Sequence, residues 1–289
     1  MKFAPYNTAS PAHLLVLGVP FDGGTTMKAG ARMGPAAIRQ ASAGLYPCNR
    51  ERKQLLHQVY AVQDGGDVAV VPMSVDKTYT AIKSHLNTFP SSSKVLFLGG
   101  DHSIVLPHLR WLHHHLGPLA LIHLDAHHDL WDDFWDDRYN HATVFRRALE
   151  EGLIDASHTI QVGLRGSLDS SEEDQYGDGL GLRQITTGEW YSKGSEWVSQ
   201  AIHQRLQGAK AIYISIDIDV VDPAFAPGTG TPEAGGPNSF MVLSLLRQLH
   251  FPIAGGDVVE LAPDLDPTGT SSLFAATLAQ ELLFLMSYD

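Results

Sequence analysis

A chain of 289 residues, 44% hydrophobic and 18% charged, has ample material for a buried core and too much of it to stay disordered. The formal net charge of −12 at pH 7 speaks against non-specific binding to nucleic acid or anionic membranes, and no apolar run approaches the roughly 18 residues of a membrane span. Cys48 is the only cysteine, which excludes an internal disulfide and any CxxC motif. The opening MKFAPYNTASPAH lacks the apolar stretch of a secretion signal, so a reduced, cytoplasmic setting is expected.

In chain order, HLLVLGVP (13–20) reads as a buried strand, and GPAAIRQAS (34–42) starts a helix behind Gly and Pro. A strand is expected over 55–62 and a helix over 74–87, with Ser74 as its cap. KVLFLGG (94–100) is a strand ending in glycines, 103–116 a helix, and PLALIHLD (118–125) a strand. The stretch WDDFWDDRYN (131–140) breaks the rhythm and reads as a long loop. A helix over 141–152 and a strand over 158–164 follow. Residues 187–207 read as helix, AKAIYISIDID (209–219) as the clearest strand, 237–249 as helix, IAGGDVVEL (253–261) as strand, and 271–286 as a closing helix. Strand and helix alternate throughout, and several strands are apolar on both faces. That pattern predicts a three-layer α/β/α fold with a central, mostly parallel sheet, one domain over 1–289 with no linker or repeat.

Ligands of open parallel sheets bind beyond the carboxyl ends of the strands, so the polar residues behind each apolar run matter most. Four sets stand out: Gly99-Gly100-Asp101-His102, Asp125-Ala126-His127-His128-Asp129, Asp217-Ile218-Asp219 and Asp257-Val258-Val259-Glu260. On extended chain, i and i+2 face the same side, so Asp125, His127 and Asp129 form one row and Asp217 and Asp219 another. Gathering these carboxylates without cations would be prohibitively costly, and mixed imidazole and carboxylate donors suit manganese, nickel, iron or zinc. Taken singly, DxHxD reads more readily as a polar loop than as a ligand set, DxD still more so, and GGDH as a capped turn. Their joint occurrence, each behind an apolar strand, carries the metal reading.

Several neighbours read as structural. His128 alternates away from the row, and His123, deeper in its strand, reads as a core or supporting histidine. Asp101, Asp257 and Asp222 read as turn-fixing residues, and Gly228, Gly230, Gly235 and Gly236 shape a loop that matches no phosphate-binding motif. The chain has 15 histidines, and His113, His114 and His115 fall at an expected helix end, where the helix dipole favours them.

The segments GGDHSI (99–104), DAHHD (125–129), His141, SIDIDVVDPAFAPGTGTPEAGG (215–236) and GGDVVELAP (255–263) resemble the ureohydrolase family of arginases and agmatinases. GVPFDGGTTMKAGARMGPAAIR (18–39) is similar to the N-terminal signature of the agmatinase-like branch. The resemblance runs from about residue 13 to the C-terminus. It implies an arginase-like fold and two divalent metal ions, manganese first and nickel second. One ion would be held by His102, Asp125, Asp129 and Asp217, the other by Asp125, His127, Asp217 and Asp219, with a shared water made acidic by both. It further implies proton transfer by His141 and a grip on the guanidinium by Glu260, and Asp129 is counted with these catalytic residues as well as with the ligands.

The implied reaction hydrolyses a guanidino compound to urea and an amine. The 130–140 loop departs from the arginase pattern. The four aspartates and three aromatics of 131–137 suit a cationic tail, which favours agmatine. Those aspartates could equally be solvated or touch a neighbouring subunit, and Arg138 could receive the carboxylate of a guanidino acid or formimidoylglutamate. Trp131 and Trp135 could instead shrink the pocket toward free guanidine. A one-zinc deacetylase of the same fold is disfavoured by the complete ligand set, a phosphoesterase by the lack of a basic clamp, and a non-catalytic metal-stabilised binding protein by the retained His141. The resemblance also implies a homo-oligomer, a trimer or hexamer.

Overall fold

The computed structural model describes residues 14–56, 61–168 and 170–287. The elements are β1 (Leu14–Gly18), α1 (Gly34–Ser42), β2 (Cys48–Asn49), β3 (Gln54–Leu55), β4 (Val62–Asp67), α2 (Val75–Leu86), β5 (Lys94–Leu98), α3 (Val105–Leu116), β6 (Leu119–Leu124), α4 (Val144–Glu150), β7 (Ile154–Leu164), α5 (Glu172–Gly179), β8 (Arg183–Thr186), α6 (Thr187–Arg205), β9 (Ile212–Asp217), α7 (Ser239–Arg247), β10 (Ile253–Val259) and α8 (Thr270–Met286). Among the described residues, eight strands form one sheet in the order β4-β1-β5-β10-β9-β6-β7-β8, and every pairing in it is parallel. The three-layer reading therefore holds, with a sheet that is parallel throughout rather than mostly so.

The apolar runs alternate between the two faces with the strand period of two. Leu96 and Leu98 of β5 and Ala120, Ile122 and Leu124 of β6 join the core under α1, α6, α7 and α8. Val95 and Phe97, with Leu119 and Leu121, join the core under α2, α3 and α4. Strands buried on both sides have no polar face, which is why they read as continuous hydrophobic runs. No helix of the described residues is long and apolar enough to cross a membrane.

Two expectations needed correction, and one stretch without an expectation holds a helix. Of the strand expected over 55–62, Leu55 ends β3, which pairs antiparallel with β2, and Val62 opens the edge strand β4, polar beyond Val62 because edge position exposes it; residues 57–60 lie outside the described residues. The region between β7 and β8 holds α5, whose sequence EEDQYGDG has no apolar stripe to announce it. The helix starting at 187 breaks at Gly194, which adopts φ 83° and ψ 163°. Ser74 caps α2 as expected, its Oγ accepting the Lys77 N–H.

Candidate metal centre

The four suspect segments follow β5, β10, β9 and β6, the four adjacent strands at the middle of the sheet. All four strands point the same way, so their carboxyl ends deliver His102, Glu260, Asp217 with Asp219, and Asp125 with His127 and Asp129 to one edge. The close approach is made by glycine: a Cβ on Gly100 would fall 1.8 Å from the Phe21 carbonyl oxygen.

The local geometry differs from the extended rows expected. β6 ends at Leu124, and Asp125 Oδ1 accepts the His127 N–H at 2.7 Å, folding the chain into a bend. Asp129 then takes a left-handed backbone with φ 56°. Likewise Asp217 Oδ1 accepts the Asp219 N–H at 2.8 Å and opens a 3-10 turn. The carboxylates meet because short polar side chains satisfy the backbone where the strands end, not because the strands continue.

His102 is the most informative residue. Its Nδ1 lies 2.9 Å from Asp129 Oδ2, 3.3 Å from Asp125 Oδ2 and 3.5 Å from Asp217 Oδ2. It is buried and makes no hydrogen bond with any of them. On the other side of the ring, Nε2 is 2.8 Å from Ser215 Oγ, whose single proton goes to Asp257 Oδ1 at 2.8 Å. Ser215 can then only accept, so Nε2 carries a ring hydrogen, and in the neutral ring Nδ1 presents a bare lone pair to three carboxylates. That juxtaposition is repulsive unless a cation sits between the groups.

A second group shares Asp125 with the first. His127 Nδ1 is 3.1 Å from Asp219 Oδ2 and 3.4 Å from Asp125 Oδ1. Donor atoms of His102, His123, Asp125 and Asp129 cluster closely enough for one ion, and those of Asp125, His127 and Asp219 for another. His123 has its ring nitrogens committed, Nδ1 accepting from Gln161 Nε2 at 2.9 Å and Nε2 donating to Asp125 Oδ2 at 2.7 Å. It thereby orients Asp125, as a supporting histidine should. His128 turns away to Asp174 Oδ1 at 3.0 Å. Burial and the neighbouring Asp219 and Asp125 charges push the Asp217 carboxyl well above its usual range. Burial opposes a charge on His102, but the Asp125, Asp129 and Asp217 carboxylates outweigh it and raise the imidazole well above normal. Without metal, the protein supplies a proton where the site calls for cations.

His141 and Glu260 sit beside this cluster, both buried. His141 Nδ1 lies 2.9 Å from Glu260 Oε1, the oxygen that also accepts the His102 N–H at 2.7 Å. The Thr26 N–H reaches His141 Nε2 at 3.1 Å, with Thr26 Oγ1 at 2.7 Å. Asp101 holds that loop by accepting the Gly24 N–H at 2.7 Å, and the His141 N–H donates to the Gly24 carbonyl. Burial disfavours the imidazolium, yet the Glu260, Asp129 and Asp101 charges lift His141 to about 9. Asp257 and Asp222 fix backbone as expected, Asp222 accepting the N–H groups of Ala224, Gly235 and Gly236.

A cavity of about 190 Å³ opens onto Asp129, His127, Asp217 and His141. Thr26, Trp131, Phe134, Glu173 and Glu233 are among its other lining residues, with no lysine or arginine among the described residues. The loop reading needs correction here. Trp131 and Phe134 wall the cavity, but Asp132, Asp133, Asp136 and Asp137 do not line it. Asp132 pairs with Arg138 and Arg147, and Asp137 accepts the Tyr139 N–H. Phe134 and Asp137 exchange backbone hydrogen bonds across Trp135 and Asp136, both at positive φ, a tight turn that throws Trp135 into solvent. Arg138 is taken by Asp132 and Glu150 and does not line the cavity. A larger groove of about 680 Å³, lined by His113, His114 and His115, shares none of these residues.

Thr26, Ser215, Gln161, Glu173 and Glu233 had no assigned part in the sequence reading. Thr26 stands inside a segment that carried the family resemblance. Glu173 is one of three consecutive acids that look solvated. Burial lifts its carboxyl to about 8.

The model of the arginase family matches residues 12–285. The proclavaminate amidinohydrolase of Streptomyces clavuligerus is 38% identical over 94% of this chain and 87% of its own. Its solved structure superposes with a TM-score of 0.90, covering 98% of this chain and 94% of that one. A guanidinopropionase of Pseudomonas aeruginosa is 38% identical, and an agmatinase of Enterobacter sp. 37%; each match spans 99% of this chain and 91% of the relative. Family model, relatives and superposition agree, and the family fold implies a binuclear divalent-metal centre where the histidines and aspartates converge: this chain belongs to the arginase family, as a hydrolase of amidine C–N bonds.

Proposed function

We propose that the chain hydrolyses agmatine to putrescine and urea at a two-metal centre. His102, Asp125, Asp129 and Asp217 hold one ion and Asp125, His127, Asp217 and Asp219 the other. The bare Nδ1 of His102 amid three carboxylates carries this assignment. Manganese suits the mixed nitrogen and oxygen donors, with nickel as the alternative. When bound, the pair supplies an acidified water for attack on the guanidinium carbon. The family resemblance supports a trimeric or hexameric assembly, and the reduced setting expected from the lone cysteine supports the cytoplasm.

The chain's own residues do the rest. Glu260 has Oε1 anchored by His102 and His141, which leaves Oε2 to accept from the guanidinium N–H groups. His141 is held at Nδ1 by Glu260, and its Nε2 accepts the Thr26 N–H with Thr26 Oγ1 at 2.7 Å; to hand a proton to the leaving amine, Nε2 must first exchange that N–H contact for the proton. Relatives named for proclavaminate, guanidinopropionate and agmatine lie within one percentage point of each other in identity, so kinship does not select the tail. The lining supports the cationic tail: Glu173 and Glu233, without lysine or arginine among the described residues, suit an ammonium better than a carboxylate. The aromatic walls and the cavity of about 190 Å³ favour free guanidine as the second reading.

The test is urea release from agmatine, arginine, guanidinobutyrate, guanidinopropionate and guanidine, with formamide release from formimidoylglutamate, by manganese- and nickel-loaded protein. Agmatine is expected to dominate. A dominant acid or guanidine keeps the hydrolase and removes agmatine. Silence across the panel with two ions bound turns the reading to a non-catalytic metal-stabilised binding protein.

A further inference from the structure

Residues 172–174 are all acidic and all lie in the first turn of α5, yet they have different fates. Glu172 is about half exposed, 4.0 Å from Arg146, and Asp174 is about half exposed against His128. Glu173 alone turns inward, its side chain 3% exposed, and lines the catalytic cavity. Oε1 accepts the Leu130 N–H at 3.1 Å. The nearest basic nitrogen to the carboxyl among the described residues is His128 Nδ1, 4.0 Å from Oε2 and beyond hydrogen-bond reach.

A buried carboxyl without a cation is costly, and support of the Leu130 N–H does not require one. A glutamine would accept the same hydrogen bond through its amide oxygen without charge to bury. The acid is therefore informative where the amide would serve the fold. Trp131 and Phe134 wall the same cavity, giving an apolar passage for an alkyl chain, and Glu233 adds a second acid.

Resting on the ureohydrolase reading above, we infer that Glu173 is the specificity-determining residue of this pocket, accepting a hydrogen bond from a cationic group at the end of the substrate remote from the guanidinium. An ammonium there gives the carboxylate the partner the protein withholds, and a charge-assisted hydrogen bond of this kind is worth about ten-fold or more in affinity.

The experiment compares agmatine with N-pentylguanidine, in which a methyl group replaces the ammonium, on manganese-loaded wild type and Glu173→Gln. Calorimetric binding and urea release are both read, with metal content as the control for folding at Leu130. Wild type is expected to prefer agmatine by about ten-fold or more, and the variant to lose that preference through weaker agmatine binding at full metal content. A preference that survives in Glu173→Gln, or is absent from wild type, overturns the inference. So does equal weakening of both ligands together with loss of metal, the mark of a purely structural role. If neither compound yields urea while the binding preference depends on Glu173, the agmatine reading fails and the inference stands. If urea forms and the preference ignores Glu173, the reverse holds.

Discussion

Ser215→Ala isolates the device that turns His102 into a ligand. Ser215 is fully buried, accepts from His102 Nε2 at 2.8 Å and donates to Asp257 Oδ1 at 2.8 Å. Removing its oxygen takes the partner from Nε2–H, frees the ring to rotate or to adopt the other tautomer, and leaves Asp257 Oδ1 with only the Ile216 N–H at 3.3 Å. Loss of such a support costs roughly 10- to 100-fold in metal affinity, about 1.4–2.7 kcal/mol. The unpaired buried groups cost the metal-free fold a further 1–3 kcal/mol or so. The loss should fall on the ion beside His102 and spare the ion beside His127, which Ser215 does not touch. Chelator competition with manganese, read as two stepwise affinities, together with chemical denaturation of the metal-free variant, measures both effects. Unchanged affinities, or an equal fall at both sites, would refute the reasoning that Ser215 orients one ligand.

Three further outcomes are expected. His102→Ala and His127→Ala should each lower bound manganese from two ions per chain toward one, read by elemental analysis after gel filtration; loss of both ions from either variant would argue against separable sites. Arg165→Lys should destabilise the chain by roughly 2–3 kcal/mol in denaturant, because the guanidinium spans the carbonyls of Gly163, Asp219, Val220, Val221 and Glu233 and a single ammonium cannot. In the metal-free protein His141 is raised from its ordinary 6.5 to about 9, so the folded state holds a proton that the unfolded chain releases. That contribution is complete below 6.5 and vanishes as pH rises toward 9. Wild-type thermal stability should therefore fall over this window more steeply than that of His141→Asn, and parallel curves would remove Glu260 as the cause.

The two-sided apolar runs such as KVLFL and LALIHL read as central strands because they are short and closed by glycine or by a polar residue; a buried helix hides such a run too, as residues 281–286 of α8 do, but inside a longer segment. Their alternation with helical segments sufficed for a parallel three-layer fold. The GGDH, DAHHD, DID and VVE endings were legible for the same reason: polar residues directly behind a buried strand have nowhere to go but the sheet edge. Elements with weak apolar patterning, β4 at the edge and α5 in its acidic helix, left no such mark.

Order across the sheet belongs to the tertiary structure. Nothing local to β5, β6, β9 and β10 says that they are neighbours, yet that adjacency is what brings His102 within 3.5 Å of carboxylates from two other strands. The same holds for direction of side chains in polar segments. Asp132, Asp133, Asp136 and Asp137 looked like a cationic-tail site and face arginines, backbone or solvent, while Glu173, indistinguishable in sequence from Glu172, faces the cavity. Composition and periodicity determine which residues must be buried together. Which way a charged side chain turns in a loop depends on partners distant in the chain, and only the packed fold supplies them.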